Sequence, residues 1–304
     1  MSSKRPSFLI IGAMKCATTS LYDQLKSQPG IFMPELKEPN FFSDDENYQA
    51  GLDWYLNLFA SADAEDICGE ASTHYTKLPT YPEAVERIAS ALGKPKLIYV
   101  VRHPIERLVS QYIHEWSQGV ISAPVDEAIS SHPELVDYSR YGMQLAPFEA
   151  MFGRENILVV QYEHIKLMPD QVLQEVCDFI GYKAPVAWQR EIAPRNISSQ
   201  RIRRFPMDRF LIDNPLLQFL RRSLVPRKLR DWVKGELTMQ QRPKLSKENI
   251  LMLSKEFDKD MQVLSSYLGA KLTCENYHQV SAARIERPVN ETKAIPVGNL
   301  GAVS

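Results

Sequence analysis

A chain of 304 residues, 44% hydrophobic and 24% charged, can bury a sizeable core and has the composition of an ordinary globular protein. Its 36 Lys and Arg against 37 Asp and Glu leave a formal net charge of −1. That excludes a nucleic-acid binder working through a global positive field, so any anion site must be local.

The first predicted strand, Phe8–Ile11, opens the stretch FLIIGAMKCATTSLYDQL. It runs into Gly12, then Lys15, then Thr18 and Thr19 at the start of a helix. This is not a triphosphatase P-loop, which needs Gly-x-x-x-x-Gly-Lys-[Ser/Thr]. Here Lys15 follows Gly12 by three residues, and Ala17 stands where a second glycine would be. A strand–turn–helix of small residues still lets backbone N–H groups converge on an anion at the positive helix end. Lys15 adds a point charge; Thr18 and Thr19 add hydroxyls and an N-cap.

The second strand, Leu97–Val101, leads into Arg102-His103-Pro104, and Pro104 suits the first turn of a helix. Along that helix Ile105, Leu108, Val109, Tyr112, Ile113 and Trp116 share one face, with Arg107, Ser110 and His114 opposite. The polar stripe faces either water or a ligand cleft, and Arg102 at the end of a buried strand favours the cleft. A third strand covers Ile157–Gln161. Residues 166–182 read as one helix with Val172, Val176, Phe179 and Ile180 inward and Gly181 as its stop. Between 195 and 235 arginines crowd together, as a solvated basic face or as a segment closing over an anion. Residues 246–268 read as one helix, capped by Ser246, with Ile250, Leu253, Phe257, Met261, Leu264 and Leu268 facing the core and Gly269 ending it.

Strands alternating with helices imply an α/β fold: a central, mainly parallel sheet flanked by helices in three layers, with a helical C-terminal extension. The domain is expected over residues 1–277, followed by a loosely ordered tail at 278–304. The cysteines Cys16, Cys68, Cys177 and Cys274 form no C-x-x-C pair or zinc-ligand spacing and read as reduced thiols. The apolar run at Phe8–Ile11 is too short for a bilayer span or a signal segment, so a cytoplasmic protein is expected.

Lys15-Cys-Ala-Thr-Thr-Ser-Leu and Arg102-His-Pro-x-x-Arg-x-x-Ser110 resemble the two nucleotide-binding signatures of sulfotransferases, which use 3′-phosphoadenosine 5′-phosphosulfate (PAPS). KEPNFF (37–42), GLDWYLNLF (51–59), GEASTHY (69–75) and SRYGMQL (139–145) resemble the heparan sulfate N- and 3-O-sulfotransferases and their bacterial relatives. The resemblance runs from about residue 7 to about residue 277 and implies their P-loop-like fold. It implies that the loop Lys15, Cys16, Ala17, Thr18, Thr19, Ser20 holds the 5′-phosphosulfate, and that Arg102 and Ser110 hold the 3′-phosphate. Glu38 matches the general base and His114 a histidine near the sulfonate. PAPS would be the co-substrate and adenosine 3′,5′-bisphosphate (PAP) the product, with no metal. The acceptor would be an alcohol or amine on a glycan, a lipid or a small molecule. Three departures stand out: Ala17 for a commoner glycine, Ala71 for a lysine near the reacting centre, and no Lys-Gly-Arg loop downstream, where arginines 201–204 could substitute.

Phe41, Phe42, Trp54, Tyr55, His74 and Tyr75 are expected to line the acceptor cleft or, alternatively, to pack in the core. Three rivals stand beside this reading. A nucleotide or small-molecule kinase would need a Walker-type Gly-Lys-[Ser/Thr] and an acidic metal ligand. An aryl-type sulfotransferase would use histidine as base. A non-catalytic glycan- or partner-binding protein would have no need of Lys15, Glu38, Arg102 and Ser110.

Overall fold

The computed structural model describes residues 4–192 and 242–285, so the arginine-rich stretch 195–235 lies outside the described residues. β1 (Phe8–Gly12) is followed by α1 (Thr18–Lys26), β2 (Ile31–Phe32), α2 (Asp45–Gln49), α3 (Leu52–Asn57), β3 (Ile67–Ala71), a 3-10 turn (Thr73–Thr76) and α4 (Ala84–Leu92). β4 (Lys96–Val101) then leads through α5 (Pro104–Ser117), α6 (Val125–Ser131), α7 (Glu134–Asp137) and α8 (Tyr141–Phe152) to β5 (Ile157–Gln161). After it come α9 (Tyr162–Leu167), α10 (Pro169–Phe179), α11 (Lys247–Asp260), α12 (Gln262–Leu268) and α13 (Tyr277–Ile285).

Every strand pairing is parallel, in the order β2-β3-β1-β4-β5. β1 and β4 are continuous apolar runs because neighbours and helices cover them on both sides, and Phe8 to Ile11 and Leu97 to Val101 are all at 0% exposure. From β1 the chain moves to one side for β2 and β3, then to the other for β4 and β5. The sense of winding therefore reverses at β1. In such sheets ligands bind in the crevice beyond the carboxyl ends of the strands at that switch point.

Two predicted helices are each broken in two. Pro169 cannot continue α9, since it lacks an N–H and its ring blocks the preceding turn, but it fits the first turn of α10. Residues 246–268 divide at Met261 into α11 and α12. The Ser246 hydroxyl does cap α11, accepting the Asn249 N–H at 3.2 Å. Leu253, Phe257, Met261, Leu264 and Leu268 are buried as expected, but Ile250 is exposed. Next to the break, the Asp260 carboxylate accepts the N–H groups of Gly142 (2.7 Å) and Met143 (2.8 Å), capping α8 from another part of the chain. Past Tyr277, where a loose tail is expected, α13 continues to Ile285. Gln161 Nε2 donates to Ser281 Oγ at 2.6 Å, and His164 Nε2 lies 2.8 Å from Ser281 O.

The exit of β1 is tightly fixed. Thr76 Oγ1 donates to Ile11 O at 2.7 Å, and Gly12 takes φ 152°. A Cβ on Gly12 would lie 2.0 Å from Thr76 Oγ1 and 3.0 Å from the Tyr99 ring. We therefore expect Gly12→Ala to destabilise the fold by about 1–3 kcal/mol, measured as a shift in denaturant midpoint. Gly12→Ala with Thr76→Ser, which leaves the hydroxyl in the way, should not restore it.

Candidate active site

The loop from β1 to α1 passes through two left-handed non-glycine residues, Lys15 (φ 71°) and Ala17 (φ 66°). Ala13 N–H donates to Val100 O at 2.7 Å and Cys16 N–H to Ala13 O at 3.3 Å, closing a tight turn. The N-cap of α1 is Ala17, without a side-chain cap, so the expectation that a threonine caps this helix is corrected. Thr18 and Thr19 are the first helical residues. Their N–H groups and that of Ser20 have no acceptor within the helix, at its positive end. Ala17 explains the preference for glycine here, since φ 66° strains any residue with a Cβ. The Cys16 thiol is fully buried and burial pushes its pKa up to about 12, so it packs beneath the loop as a neutral group.

Glu38 lies on the segment after β2. It is held at φ 57°, with its N–H donating to Ala71 O at 3.0 Å at the end of β3. Lys37 Nζ lies 2.7 Å from Glu38 Oε1, and Thr73 Oγ1 donates to Oε2 at 3.4 Å. Partial burial favours the neutral acid, but the charges of Lys37, Lys77 and His74 outweigh it and hold the carboxyl below its usual range. Lys77 lies just past the 3-10 turn. Burial depresses its ammonium, against the pull of Glu38 and Glu115. Glu115 on α5 is in turn pushed up by burial and drawn down by Lys77 and Lys15. These mutual influences link Lys15, Glu115, Lys77 and Glu38 as electrostatic neighbours.

Arg102 leaves β4 nearly buried, its guanidinium 4.7 Å from the Tyr162 ring and bonded to Glu106 Oε2 through Nη2 (2.7 Å) and Nε (3.2 Å). Ser110 is buried on α5, with His114 half-exposed one turn further along the same face. Arg107 faces neither water nor a cleft. It is fully buried, donating to Ser139 Oγ (2.6 Å), Gln111 Oε1 (2.7 Å) and Leu135 O (2.9 Å), and it ties α5 to α7. The amphipathic pattern missed this because α5 is covered on both sides.

Of the six aromatic residues expected to line the acceptor cleft or to pack in the core, four are core. Phe41, Phe42, Tyr55 and Tyr75 are buried in one block, with Phe41 and Tyr55 stacked at 4.7 Å between ring centroids. Trp54 stays 37% exposed, and His74 is half-buried with Nδ1 3.0 Å from Asp44 Oδ1. Lys77 and Glu115 were not singled out from sequence. Glu70 was also missed. This fully buried carboxylate accepts from Tyr75 OH (2.7 Å), Ser72 Oγ (2.9 Å) and Tyr55 OH (3.5 Å). All four cysteines are buried and unpaired. Among the described residues no group of three or more His, Cys, Asp or Glu could hold a metal ion, and no helix is long and apolar enough to cross a membrane.

Comparison with known proteins places these features. The profile of the family described as Sulfotransferase domain matches residues 5–249. Mouse bifunctional heparan sulfate N-deacetylase/N-sulfotransferase 4 is 28% identical over 196 residues, covering 58% of this chain and 22% of its own. Mouse heparan sulfate glucosamine 3-O-sulfotransferase 3B1 is 31% identical over 195 residues, covering 60% of this chain and 47% of its own. The chain thus spans less than half the length of these curated relatives. A crystal structure of a sulfotransferase from Alicyclobacillus acidocaldarius superposes with a TM-score of 0.54 at 27% identity, covering 63% of this chain and 87% of that one.

Glu70 has a measurable consequence for stability. Burial raises its pKa from 4.5 to about 7, against the lowering effect of its hydroxyl donors. Between those values the folded state keeps a proton that the unfolded state releases, so stability falls as pH rises from 4.5 to about 7 and levels off above. Denaturation across that window should show Glu70→Gln losing less stability than the parent, the difference reaching at most about 3 kcal/mol. Parallel pH profiles for the two proteins would contradict the assignment.

Proposed function

The chain belongs to the sulfotransferase domain family, and from that premise we propose that it transfers a sulfo group from PAPS to a hydroxyl or amine, leaving PAP. The observation that carries this reading is the uncapped α1 N-terminus with Lys15 at the switch point of the sheet, beside Glu38 held at the end of the neighbouring β3. The donor set fits an anionic nucleotide: first-turn amides with a lysine on one side of β1, and Arg102 with Ser110 on the other. PAPS supplies the sulfo group and a leaving phosphate. Lys15, Thr18 and Thr19 hold the 5′ end, and Lys15 meets the charge that develops there during transfer. Arg102 and Ser110 hold the 3′-phosphate. Glu38 removes the acceptor's proton, and Lys37 and Lys77 keep it ionised for that task. His114, on α5, would be the histidine near the sulfonate. Family membership argues against the kinase reading.

The acceptor follows from what surrounds Glu38. Lys37, Thr73, His74, Lys77 and Asp44 are polar, while the aromatic block is turned into the core. That favours a sugar or another polar metabolite over a lipid chain. The names of the two mouse relatives, which specify heparan sulfate and its glucosamine, support a glycan. Screening labelled PAPS against amino-sugar oligosaccharides, lipid alcohols and phenols tests this, and preference for phenols with Glu38→Gln still active would overturn both acceptor and base.

Calorimetry with PAP in the presence of a chelator should show binding, and ATP with magnesium should compete poorly. Lys15→Ala should abolish turnover. Arg102→Ala should mainly weaken PAP binding, by about 1.5–3 kcal/mol for one charge-assisted contact. An unchanged PAP affinity in Arg102→Ala would remove Arg102 from the 3′-phosphate site.

The pH dependence separates the two candidate bases. With Glu38 as base and a hydroxyl acceptor, the acid limb of kcat should fall below 4.5, and Lys37→Met should move it upward. A limb in the histidine range that His114→Ala removes and Lys37→Met leaves in place would identify His114 as the base.

A further inference from the structure

We propose that Glu70 is a positioning residue that holds the Glu38 carboxylate in the cleft through Ser72 and the amide of Asn40. The inference rests on the reading of Glu38 as general base. The segment carrying Glu38 has two non-glycine residues in the left-handed region, Glu38 (φ 57°) and Asn40 (φ 49°), on either side of Pro39. L-residues do not rest there unaided, so the surrounding structure must hold them.

Two backbone donors do so. Glu38 N–H donates to Ala71 O at 3.0 Å, and Asn40 N–H donates to Ser72 Oγ at 3.0 Å. The exit of β3 is thus a two-point clamp on the segment. Its second point works only while the Ser72 hydrogen points away from Asn40, and that hydrogen is directed to Glu70 Oε2 at 2.9 Å.

Glu70 itself is completely buried, and its hydrogen-bond partners among the described residues are the hydroxyls of Tyr75, Tyr55 and Ser72. Burial keeps both phenols far above their ordinary range, so they remain donors. A carboxylate buried without a bonded cation is unfavourable, and packing in β3 alone would be served by an apolar residue. What the carboxylate adds is a fixed acceptor that orients the Ser72 hydroxyl. Tyr55 on α3 and Tyr75 on the 3-10 turn fix the carboxylate in turn, so the clamp is anchored in the core.

The test uses the full chain with PAP bound. Amide hydrogen exchange is followed at residues 38–42, PAP affinity by calorimetry, and kcat with the best acceptor from the panel, for Glu70→Gln, Ser72→Ala, the double variant and Glu38→Gln. Loss of the clamp should raise exchange at the Asn40 amide about tenfold or more while amides of β1 and β4 stay protected. PAP affinity should stay within about twofold while kcat falls about 10–100-fold, the scale set by misplacing a reacting group. The double variant should be no worse than Ser72→Ala, since both changes act on one path. Unchanged Asn40 exchange in both single variants overturns the inference by itself. So does full kcat despite faster exchange, or a loss of PAP affinity as large as the loss of turnover. Should Glu70→Gln not fold, Ser72→Ala and Tyr75→Phe carry the same measurements. Full turnover in Glu38→Gln would instead overturn the base, whatever the exchange at Asn40 shows.

Discussion

The hydrogen bond from Thr76 Oγ1 to Ile11 O, over a Gly12 with no room for a Cβ, fixes where β1 ends. One residue later Ala13 N–H is taken by Val100 O, so the exit of the central strand is tied to both of its neighbours' sides at once. The chain can then turn into α1 only through the left-handed residues Lys15 and Ala17. Because alanine has no capping group, the first amides of α1 are left to an outside acceptor. The position of Lys15 and the direction of α1 follow from that exit.

Charges in the structure fall into two kinds, and the division matches their roles. In the interior they are met by neutral dipoles: Arg107 by two side-chain oxygens and a carbonyl, Glu70 by hydroxyls. Such groups rigidify but cannot exchange partners with solvent. Around the cleft the charges are paired with each other: Lys37 with Glu38, Arg102 with Glu106, His74 with Asp44. His278 on α13 lies 3.0 Å from Glu106 and stacks on His103, so the C-terminal helix borders the Arg102 side. Any anion bound there would compete with half-exposed carboxylates such as Glu106 for these cations.

Some of this was legible in the sequence for a clear reason. Phe8–Ile11, Leu97–Val101 and Ile157–Val160 are continuous apolar runs, as strands of a largely buried parallel sheet read, and the residues after them are where such sheets bind ligands. The Lys15 loop, Arg102 and Glu38 could therefore be named from local pattern and resemblance. β3 could not be read as a strand, because ICGEA carries a glycine and a carboxylate in its middle. Its Gly69 lies under the Phe8 ring and its Glu70 is satisfied by two tyrosines, neither of which local periodicity can register.

The sequence by itself determined the class of fold, the strand–turn–helix of β1 and α1 and the chemistry of the groups at two strand ends, since each depends on residues close along the chain. Only the tertiary structure decided which groups face the cleft. Arg107 and four aromatic rings are covered by elements distant in sequence and became core, while Lys77 and Glu115 were brought beside Glu38 and Lys15. Burial is a property of what packs on a residue from elsewhere, and a helix covered on both sides leaves no trace of that in its own periodicity.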